Sequence, residues 1–130
     1  LGGAAMVGLG VALAQPDKRV IVLMGDGDVL CGLGSLATLA ISGARNLGLA
    51  IFDNAIYGET GDQWTATAQG VELGDVARSC GMPVARTVDQ PEAVAGQLRQ
   101  ARDAAAGPGA GCSTVPECSR CFLSPTVPNG

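Results

Sequence analysis

Two short groups of polar residues could do chemistry in this chain, and each directly follows an apolar run. Gly25-Asp26-Gly27-Asp28 follows residues 19–24, and Asp53-Asn54 follows residues 47–52. A carboxylate, an amide oxygen and loop carbonyls are the hard ligands that Mg²⁺ prefers, and Mg²⁺ leaves its other positions to water and phosphate. Gly27 lets the backbone approach a phosphate closely, and the amides that open the next helix favour an anion. The pattern therefore predicts a diphosphate held through Mg²⁺.

The elements between these two groups must bring them together. Residues 28–52, 25 in all, separate Gly27 from Asp53. This length accommodates one crossover helix and one strand. Ligands of an open parallel sheet bind at the carboxyl ends of its strands. We therefore expect Asp26 and Asn54 side by side on neighbouring strands.

Apolar runs and helical spacings alternate along most of the chain. Helices are predicted over residues 2–14, 29–42, 72–80 and 91–106, strands over 19–24, 47–52 and 83–88, and a functional loop over 55–70. The uniformly apolar first strand is typical of one buried on both faces. Asp28 is expected to cap the second helix and Gly43 to end it. This order predicts an α/β fold with a doubly wound, mostly parallel sheet and helices on both faces.

The last 24 residues, 107–130, break this alternation. They contain four of the seven prolines and three of the five cysteines, and no periodic apolar run. Val115 and the Phe122-Leu123 pair are too isolated to predict a strand, so we expect an irregular tail. Its composition is also what a reading-frame slip would produce. We predict a single incomplete domain over residues 1–106, truncated at its N-terminus because the chain starts with Leu1 rather than Met.

Composition excludes several classes of function. The chain has 130 residues, 47% of them hydrophobic, a formal net charge of −4 and no histidine. Without histidine, the chain alone can build neither a Ser-His-Asp or Cys-His mechanism nor a His-ligated metal site. No basic footprint for nucleic acid is present. The uncharged stretches 1–16 and 29–44 have 16 residues each, short of the roughly 20 that a membrane span needs. We expect no membrane partner and, from the cysteine usage, a cytoplasmic protein.

A Gly-Asp-Gly motif, an intervening stretch of this length and an Asn that closes a strand resemble the signature of thiamine diphosphate enzymes. Two further segments, Gly32-Leu33-Gly34-Ser35-Leu36-Ala37-Thr38 and Asp53-Asn54-x-x-Tyr57-Gly58-x-Thr60-Gly61, resemble the small (beta) subunits of sulfopyruvate and phosphonopyruvate decarboxylases. The resemblance covers residues 1 to about 106. It implies that Asp26, Asn54 and the carbonyl of Ile56 bind Mg²⁺. Asp53 departs from the family, which usually has asparagine at this position.

The same resemblance implies which residues contact the cofactor. Leu1 would be the bulky apolar residue beneath the bent thiamine diphosphate. Gly25, Gly27, Asp28, Tyr57 and Gly58 would also belong to the cofactor-binding site, and Tyr57, Thr60 and Gln63 would form part of the substrate pocket. Asp28 stands where the family often has serine, and we expect it to cap the helix because an acid would repel phosphate.

The implied function is the cofactor-anchoring part of a 2-oxoacid decarboxylase that acts on a small 2-oxoacid. A pyrimidine-binding domain or subunit would supply the activating glutamate, and neither Glu59 nor Glu72 takes that role. A hetero-oligomer is therefore implied, and the isolated chain is expected to be inactive. The sequence does not decide which 2-oxoacid is the substrate.

Three other interpretations stay open. One is another thiamine-dependent class, such as an acetolactate synthase-like enzyme. A second is a Rossmann-like nucleotide-binding module, because Gly32-Leu33-Gly34-Ser35-Leu36-Ala37 matches a dinucleotide fingerprint and Asp53 could bind a ribose. That match lies inside a predicted helix, where its glycines cannot form the phosphate turn. The third is a truncated product without function.

Overall fold

A four-stranded sheet with helices packed on it forms the fold in the computed structural model. The structure describes residues 1–82, 85–88, 90, 93, 95, 96 and 99, and the backbone of 120–125. Its elements in chain order are α1 (Ala4–Ala14), β1 (Val20–Gly25), α2 (Asp26–Cys31), α3 (Ser35–Ile41), β2 (Leu47–Asp53), β3 (Ile56–Tyr57), β4 (Gln63–Trp64), a 3₁₀ helix (Ala66–Gln69), α4 (Leu73–Ser79), β5 (Arg86–Val88) and β6 (Arg120–Pro125).

The strands of the large sheet are ordered β1-β2-β6-β5. β1 and β2 pair in parallel, with Val20 opposite Leu47 and Gly25 opposite Phe52. β6 is antiparallel to both of its neighbours, so β1, β2 and β5 run in the same direction. The predicted α/β fold class, with a mostly parallel sheet, is confirmed. The carboxyl ends of β1 and β2 lie at one edge of the sheet, as the site prediction requires.

The hydrophobic core lies between α1, α3 and the first two strands. Leu36, Leu39, Leu47, Leu49 and Ile51 are each at most 2% exposed, and burying a side chain of this size stabilises the fold by about 1.5–3 kcal/mol. Helix α1 comes very close to β1 at Gly8, where an added Cβ would lie 2.1 Å from Val22 Cγ2. Small residues in α1 therefore set how closely this helix packs on the sheet.

β1 differs from the prediction of a strand buried on both faces. Ile21 and Leu23 are 40% and 63% exposed, whereas Met24 is 7% exposed. β1 lies at the edge of the described sheet, and among the described residues only one of its faces is well covered. β2, an inner strand, is buried at almost every position, as predicted.

The single helix predicted over residues 29–42 is wrong, because the structure has α2 and α3 with a break at Gly32 to Gly34. Asp28 is not the N-cap of a helix. It lies in the first turn of α2, whose N-cap is Gly25. The second helix ends as predicted, since Gly43 follows the C-cap with a φ of +70°.

The predicted loop over residues 55–70 contains more regular structure than the sequence indicated. β3 and β4 form an antiparallel hairpin that pairs Ile56 with Trp64, and the 3₁₀ helix follows directly. The turn of the hairpin is held by side chains, because Thr60 Oγ1 donates to Gln63 Oε1 at 2.8 Å and Gln63 Nε2 donates to the Thr60 carbonyl at 2.9 Å. Few apolar residues are needed for such a turn, which explains why periodicity did not predict it.

The prediction that the tail contains no strand is also wrong, because β6 lies between β2 and β5. A strand between two others satisfies its backbone groups on both sides, so it does not need a long apolar run. The third predicted strand is observed over Arg86–Val88. In the predicted helix over residues 91–106, residues 93, 95, 96 and 99 are helical and the others lie outside the described residues. No helix among the described residues is long and apolar enough to cross a membrane.

Candidate functional site

A cavity of about 400 Å³ opens at the carboxyl ends of β1 and β2. Its walls come from the N-terminal segment, the end of β1, the first turn of α2, the end of β2 and the hairpin. It is lined by Leu1, Ala4, Leu23, Met24, Gly25, Asp26, Gly27, Asp28, Phe52, Asn54, Ile56, Tyr57, Gly58, Glu59 and Thr60. Of the predicted site residues, Gln63 alone is not part of this lining. The structure thus brings the others together around one space, and their individual roles stay predictions.

Asp26 is the most deeply buried acidic side chain of this cavity. It begins α2 directly after β1 and is only 1% exposed. Its Oδ2 accepts a hydrogen bond from Thr65 Oγ1 at 2.6 Å and lies 3.2 Å from Thr67 Oγ1. A buried carboxylate needs such donors, because burying it without them costs several kcal/mol. The stretch that follows β4 therefore fixes the carboxylate at the end of β1.

The same two threonines connect Asp26 to Asp53. Thr67 Oγ1 donates to Asp53 Oδ1 at 2.7 Å, and the two threonine hydroxyls lie 2.8 Å apart. Each hydroxyl has one hydrogen, so with Thr65 donating to Asp26 and Thr67 donating to Asp53, no hydrogen remains for the contact between the two hydroxyls. Neither threonine was predicted from the sequence, since a Thr-x-Thr pair in a polar stretch has no periodicity that would distinguish it.

Asn54 and Ile56 lie in a tight turn directly after β2. Asp53 Oδ1 accepts the Ala55 N–H and Asn54 Oδ1 accepts the Ile56 N–H, both at 3.1 Å. Ala55, between them, has a φ of +61°, a left-handed conformation that costs a non-glycine residue about 1–2 kcal/mol. An amide oxygen has two lone pairs, so Asn54 Oδ1 keeps acceptor capacity for a cation. The strained turn places Asn54 and Ile56 beside the same cavity.

Tyr57 packs directly on the first turn of α2. A Cβ added to Gly27 would lie 2.6 Å from Tyr57 Cδ1 and 2.7 Å from Cε1. Any side chain at position 27 would therefore displace the tyrosine ring. The sequence pattern predicted that Gly27 lets the backbone approach a phosphate closely. The structure adds that Gly27 makes room for Tyr57, a residue of the cavity wall.

The N-terminal segment is attached to α2 by its backbone. The Gly2 N–H donates to Asp28 Oδ1, and a Cβ added to Gly32 would lie 2.1 Å from the Gly2 carbonyl oxygen. This contact holds Leu1, which is 69% exposed, at the edge of the cavity. Asp28 Oδ2 is buried and has no hydrogen-bond partner among the described residues.

The charge of the cavity determines what it can bind. Asp26, Asp28 and Glu59 line it, and no lysine or arginine is among its described lining residues. A diphosphate would be repelled by these carboxylates unless a divalent cation lay between them. The donor set of Asp26, Asn54 and the Ile56 carbonyl consists of hard oxygen atoms and fits Mg²⁺. The unpartnered Asp28 Oδ2 likewise favours a cation, or a donor group, over a bare anion at this position.

No group of three or more His, Cys, Asp or Glu side chains that could hold a metal ion occurs within the described residues. Mg²⁺ does not require one, because it is usually bound by one or two carboxylates with water and substrate phosphates in its other positions.

A family model described as "Thiamine pyrophosphate enzyme, C-terminal TPP binding domain" matches residues 1–110 of the chain. The chain belongs to this family. It is 44% identical over 87 residues to the sulfopyruvate decarboxylase subunit beta of Methanocaldococcus jannaschii, an alignment that covers 67% of the chain and 46% of that protein. It is 48% identical over 81 residues to the phosphonopyruvate decarboxylase of Streptomyces hygroscopicus, which covers 62% of the chain and 20% of that protein.

These comparisons confirm the predicted family and the resemblance to the two decarboxylases. The chain spans less than half the length of these relatives. The dinucleotide fingerprint does not explain the glycines at positions 32 and 34, because neither residue lines the cavity. Gly32 packs against the backbone of Gly2 instead. The domain of this family binds thiamine pyrophosphate, which is thiamine diphosphate.

Proposed function

We propose that this chain anchors thiamine diphosphate through Mg²⁺ as part of a 2-oxoacid decarboxylase of the sulfopyruvate or phosphonopyruvate type. One observation carries the proposal. In a chain of the thiamine pyrophosphate-binding family, Asp26, Asn54 and Ile56 line a single acidic cavity at the carboxyl ends of two parallel strands. An acidic wall that must receive a diphosphate requires a cation between the two, and these residues supply its oxygen ligands.

Each residue has a role in this proposal. Asp26 would bind Mg²⁺ through its carboxylate, Asn54 through its amide oxygen and Ile56 through its backbone carbonyl, while diphosphate and water take the remaining positions. The cavity residues Gly25, Gly27, Asp28, Tyr57 and Gly58 would contribute to the cofactor site, and Leu1 would support the cofactor. When bound, the cofactor accepts the electrons released by cleavage of the carbon–carboxylate bond of a 2-oxoacid. Tyr57, Thr60 and Gln63 would border the substrate.

The activating glutamate is proposed to come from a pyrimidine-binding domain or subunit outside this chain. Glu59 lines the cavity, but neither it nor Glu72 is assigned this role. The name "subunit beta" of one of the relatives supports a hetero-oligomer. The free thiols of Cys31 and Cys80 support a reducing compartment such as the cytoplasm.

The first test is a calorimetric titration of thiamine diphosphate into the chain, with Mg²⁺ and with EDTA. Binding is expected only with Mg²⁺, and it should tighten when a candidate pyrimidine-binding subunit is added. Trp64 is the only tryptophan and pairs with Ile56 across the hairpin, so its fluorescence provides a second signal from the same loop. Folded chain that binds no thiamine diphosphate in any of these conditions would refute the proposal.

Matched variants test the site itself. Asp26→Ala and Asn54→Ala are each expected to abolish Mg²⁺-dependent binding. Asp17→Ala removes an exposed carboxylate from the turn between α1 and β1 and should leave binding unchanged. Full retention of binding in Asp26→Ala would contradict the assigned metal site. With the partner subunit present, release of CO₂ from sulfopyruvate, phosphonopyruvate and pyruvate then identifies the substrate class.

A further inference from the structure

We propose that Thr65 and Thr67 are positioning residues that hold the Asp26 carboxylate in the orientation in which it binds the metal. The inference rests on the function proposed above and assigns to that site two residues that are not among its ligands. Both threonines follow β4, and Thr65 is 39 positions from Asp26 in sequence. They therefore join the hairpin to the end of β1 by side-chain contacts.

The geometry assigns the two carboxylate oxygens of Asp26 to different tasks. Thr65 Oγ1 at 2.6 Å and Thr67 Oγ1 at 3.2 Å both contact Oδ2. Within the described part of the chain, this leaves Oδ1 as the oxygen that a cation in the cavity would take. A carboxylate held at one oxygen cannot rotate about its χ angles without losing a buried hydrogen bond. The hydroxyls thus pre-orient the ligand before the metal arrives.

Burial indicates that these hydroxyls do more than cover a loop. Thr65 is 2% exposed and Thr67 is 5% exposed, so neither hydroxyl can replace a lost protein contact with bulk water. Buried hydroxyl groups are normally hydrogen-bonded, and the partners here are Asp26 and Asp53. Removing partners that orient a metal ligand typically weakens metal affinity about 10–100-fold.

The contact with Asp53 extends the same arrangement to the second strand. Thr67 Oγ1 lies 2.7 Å from Asp53 Oδ1 and 2.8 Å from Thr65 Oγ1. The residue next to Asp53 is Asn54, the proposed amide ligand. The two threonines therefore tie the ends of β1 and β2 together at the point where both strands deliver a ligand. We expect Thr65 to have the larger effect, because its contact with Asp26 is the shorter one.

The test measures the affinity of the chain for metal with and without thiamine diphosphate. Mg²⁺ is titrated by calorimetry and Mn²⁺ by electron paramagnetic resonance into wild type, Thr65→Val, Thr65→Ser and Thr65→Ala. Valine keeps the shape of threonine without its hydroxyl, and serine and alanine differ from each other only by the hydroxyl. Thr38→Val, on an exposed position of α3, is the control. Thermal unfolding in EDTA reports stability separately from metal binding.

The expected result is a loss of metal affinity of about 10-fold or more in Thr65→Val and Thr65→Ala. Thr65→Ser should stay within about 3-fold of wild type, and Thr38→Val should not change. A folded Thr65→Val or Thr65→Ala with wild-type metal affinity would overturn the proposal, as would a serine variant that loses as much affinity as alanine.

Two other outcomes are also decisive. If both valine and alanine variants fail to fold while serine folds, the hydroxyl serves the fold rather than the metal site and the proposal is wrong. If wild type binds neither metal nor thiamine diphosphate, the proposed function fails. That failure is distinguishable because it is seen in the wild type and not only in the threonine variants.

Discussion

Gly32 and Gly34 provide a direct comparison between two explanations of the same glycine-rich segment. In the structure a Cβ on Gly32 would lie 2.1 Å from the Gly2 carbonyl oxygen, 2.8 Å from its carbonyl carbon and 2.9 Å from its Cα. A Cβ on Gly34 would meet no atom within 4 Å. Gly34 has a φ of −60° and a ψ of −19°, which alanine adopts without strain. We therefore predict that Gly32→Ala is harmful and Gly34→Ala is not.

The magnitude follows from what must move. Carbon contacts are normally about 3.5–4.0 Å, so the backbone of residues 1–3 must retreat by more than about 1 Å. A backbone obstacle cannot rotate away as a long side chain can. The retreat breaks the hydrogen bond from the Gly2 N–H to Asp28 Oδ1, and losing a hydrogen bond to a charged group costs about 1.5–3 kcal/mol. Overpacking of this kind costs about 1–3 kcal/mol, and since retreat relieves it, the two costs do not add.

Two assays check this prediction. Urea unfolding should show Gly32→Ala less stable by about 1–3 kcal/mol, with Gly34→Ala within about 0.5 kcal/mol of wild type. Calorimetry should show weaker binding of thiamine diphosphate with Mg²⁺ in Gly32→Ala alone, because Leu1 moves with Gly2. Equal loss of ligand binding in both variants would refute this reasoning and favour a phosphate-binding glycine loop. Wild-type behaviour of Gly32→Ala would show that residues 2 and 32 are not in contact.

Three further predictions concern the site and the helix that supports it. Asp53→Asn should keep Mg²⁺-dependent cofactor binding largely intact, because it leaves Asp26 and Asn54 in place and its amide oxygen can still accept from Thr67 and from the Ala55 N–H. More than about a 10-fold loss by calorimetry would contradict this. Gly27→Ala should weaken cofactor binding at least 10-fold, since its Cβ would lie 2.6 Å from Tyr57 Cδ1, and Gly27→Ala combined with Tyr57→Ala should recover part of the loss. In α1, Gly8→Ala should lower the free energy of unfolding by up to about 2 kcal/mol, because the added Cβ would overlap Val22 Cγ2. Gly10→Ala, with open space around it, should raise the free energy of unfolding by about 1 kcal/mol. Identical shifts in urea unfolding would show that α1 does not contact β1 closely at Gly8.

The sequence predicted those parts of the site that depend on strand ends. Apolar runs located β1 and β2, and the rule for parallel sheets then placed Asp26 and Asn54 at one edge without knowledge of any contact. The turn that follows β2 can also be predicted from the sequence, since Asp and Asn side chains hydrogen-bond to the backbone two residues further along. Such inferences need only local pattern and a topological rule, and they gave the position of the cavity.

The remaining features depend on contacts between distant segments. The break between α2 and α3 lies where Gly2 packs against Gly32, and no local pattern in residues 29–42 indicates what lies opposite. The strand β6 was missed because it has no long apolar run. Its backbone partners come from β2 and β5 on either side, and the local sequence does not indicate them. Thr65 and Thr67 were missed for the same reason, because their significance lies in Asp26 and Asp53.

Three carboxylates connect the segments that surround this site. Asp28 binds the backbone of the N-terminal segment, Asp26 binds the threonines after the hairpin, and Asp53 binds both Thr67 and the turn that carries Asn54. Each acid thus connects one other segment to the strand ends, and together they place negative charge around the cavity. Attachment by carboxylates brings like charges together, and a divalent cation at Asp26 would relieve that repulsion. If the cavity takes thiamine diphosphate as proposed, the carboxylates that assemble the site would also make its affinity for the diphosphate depend on the metal.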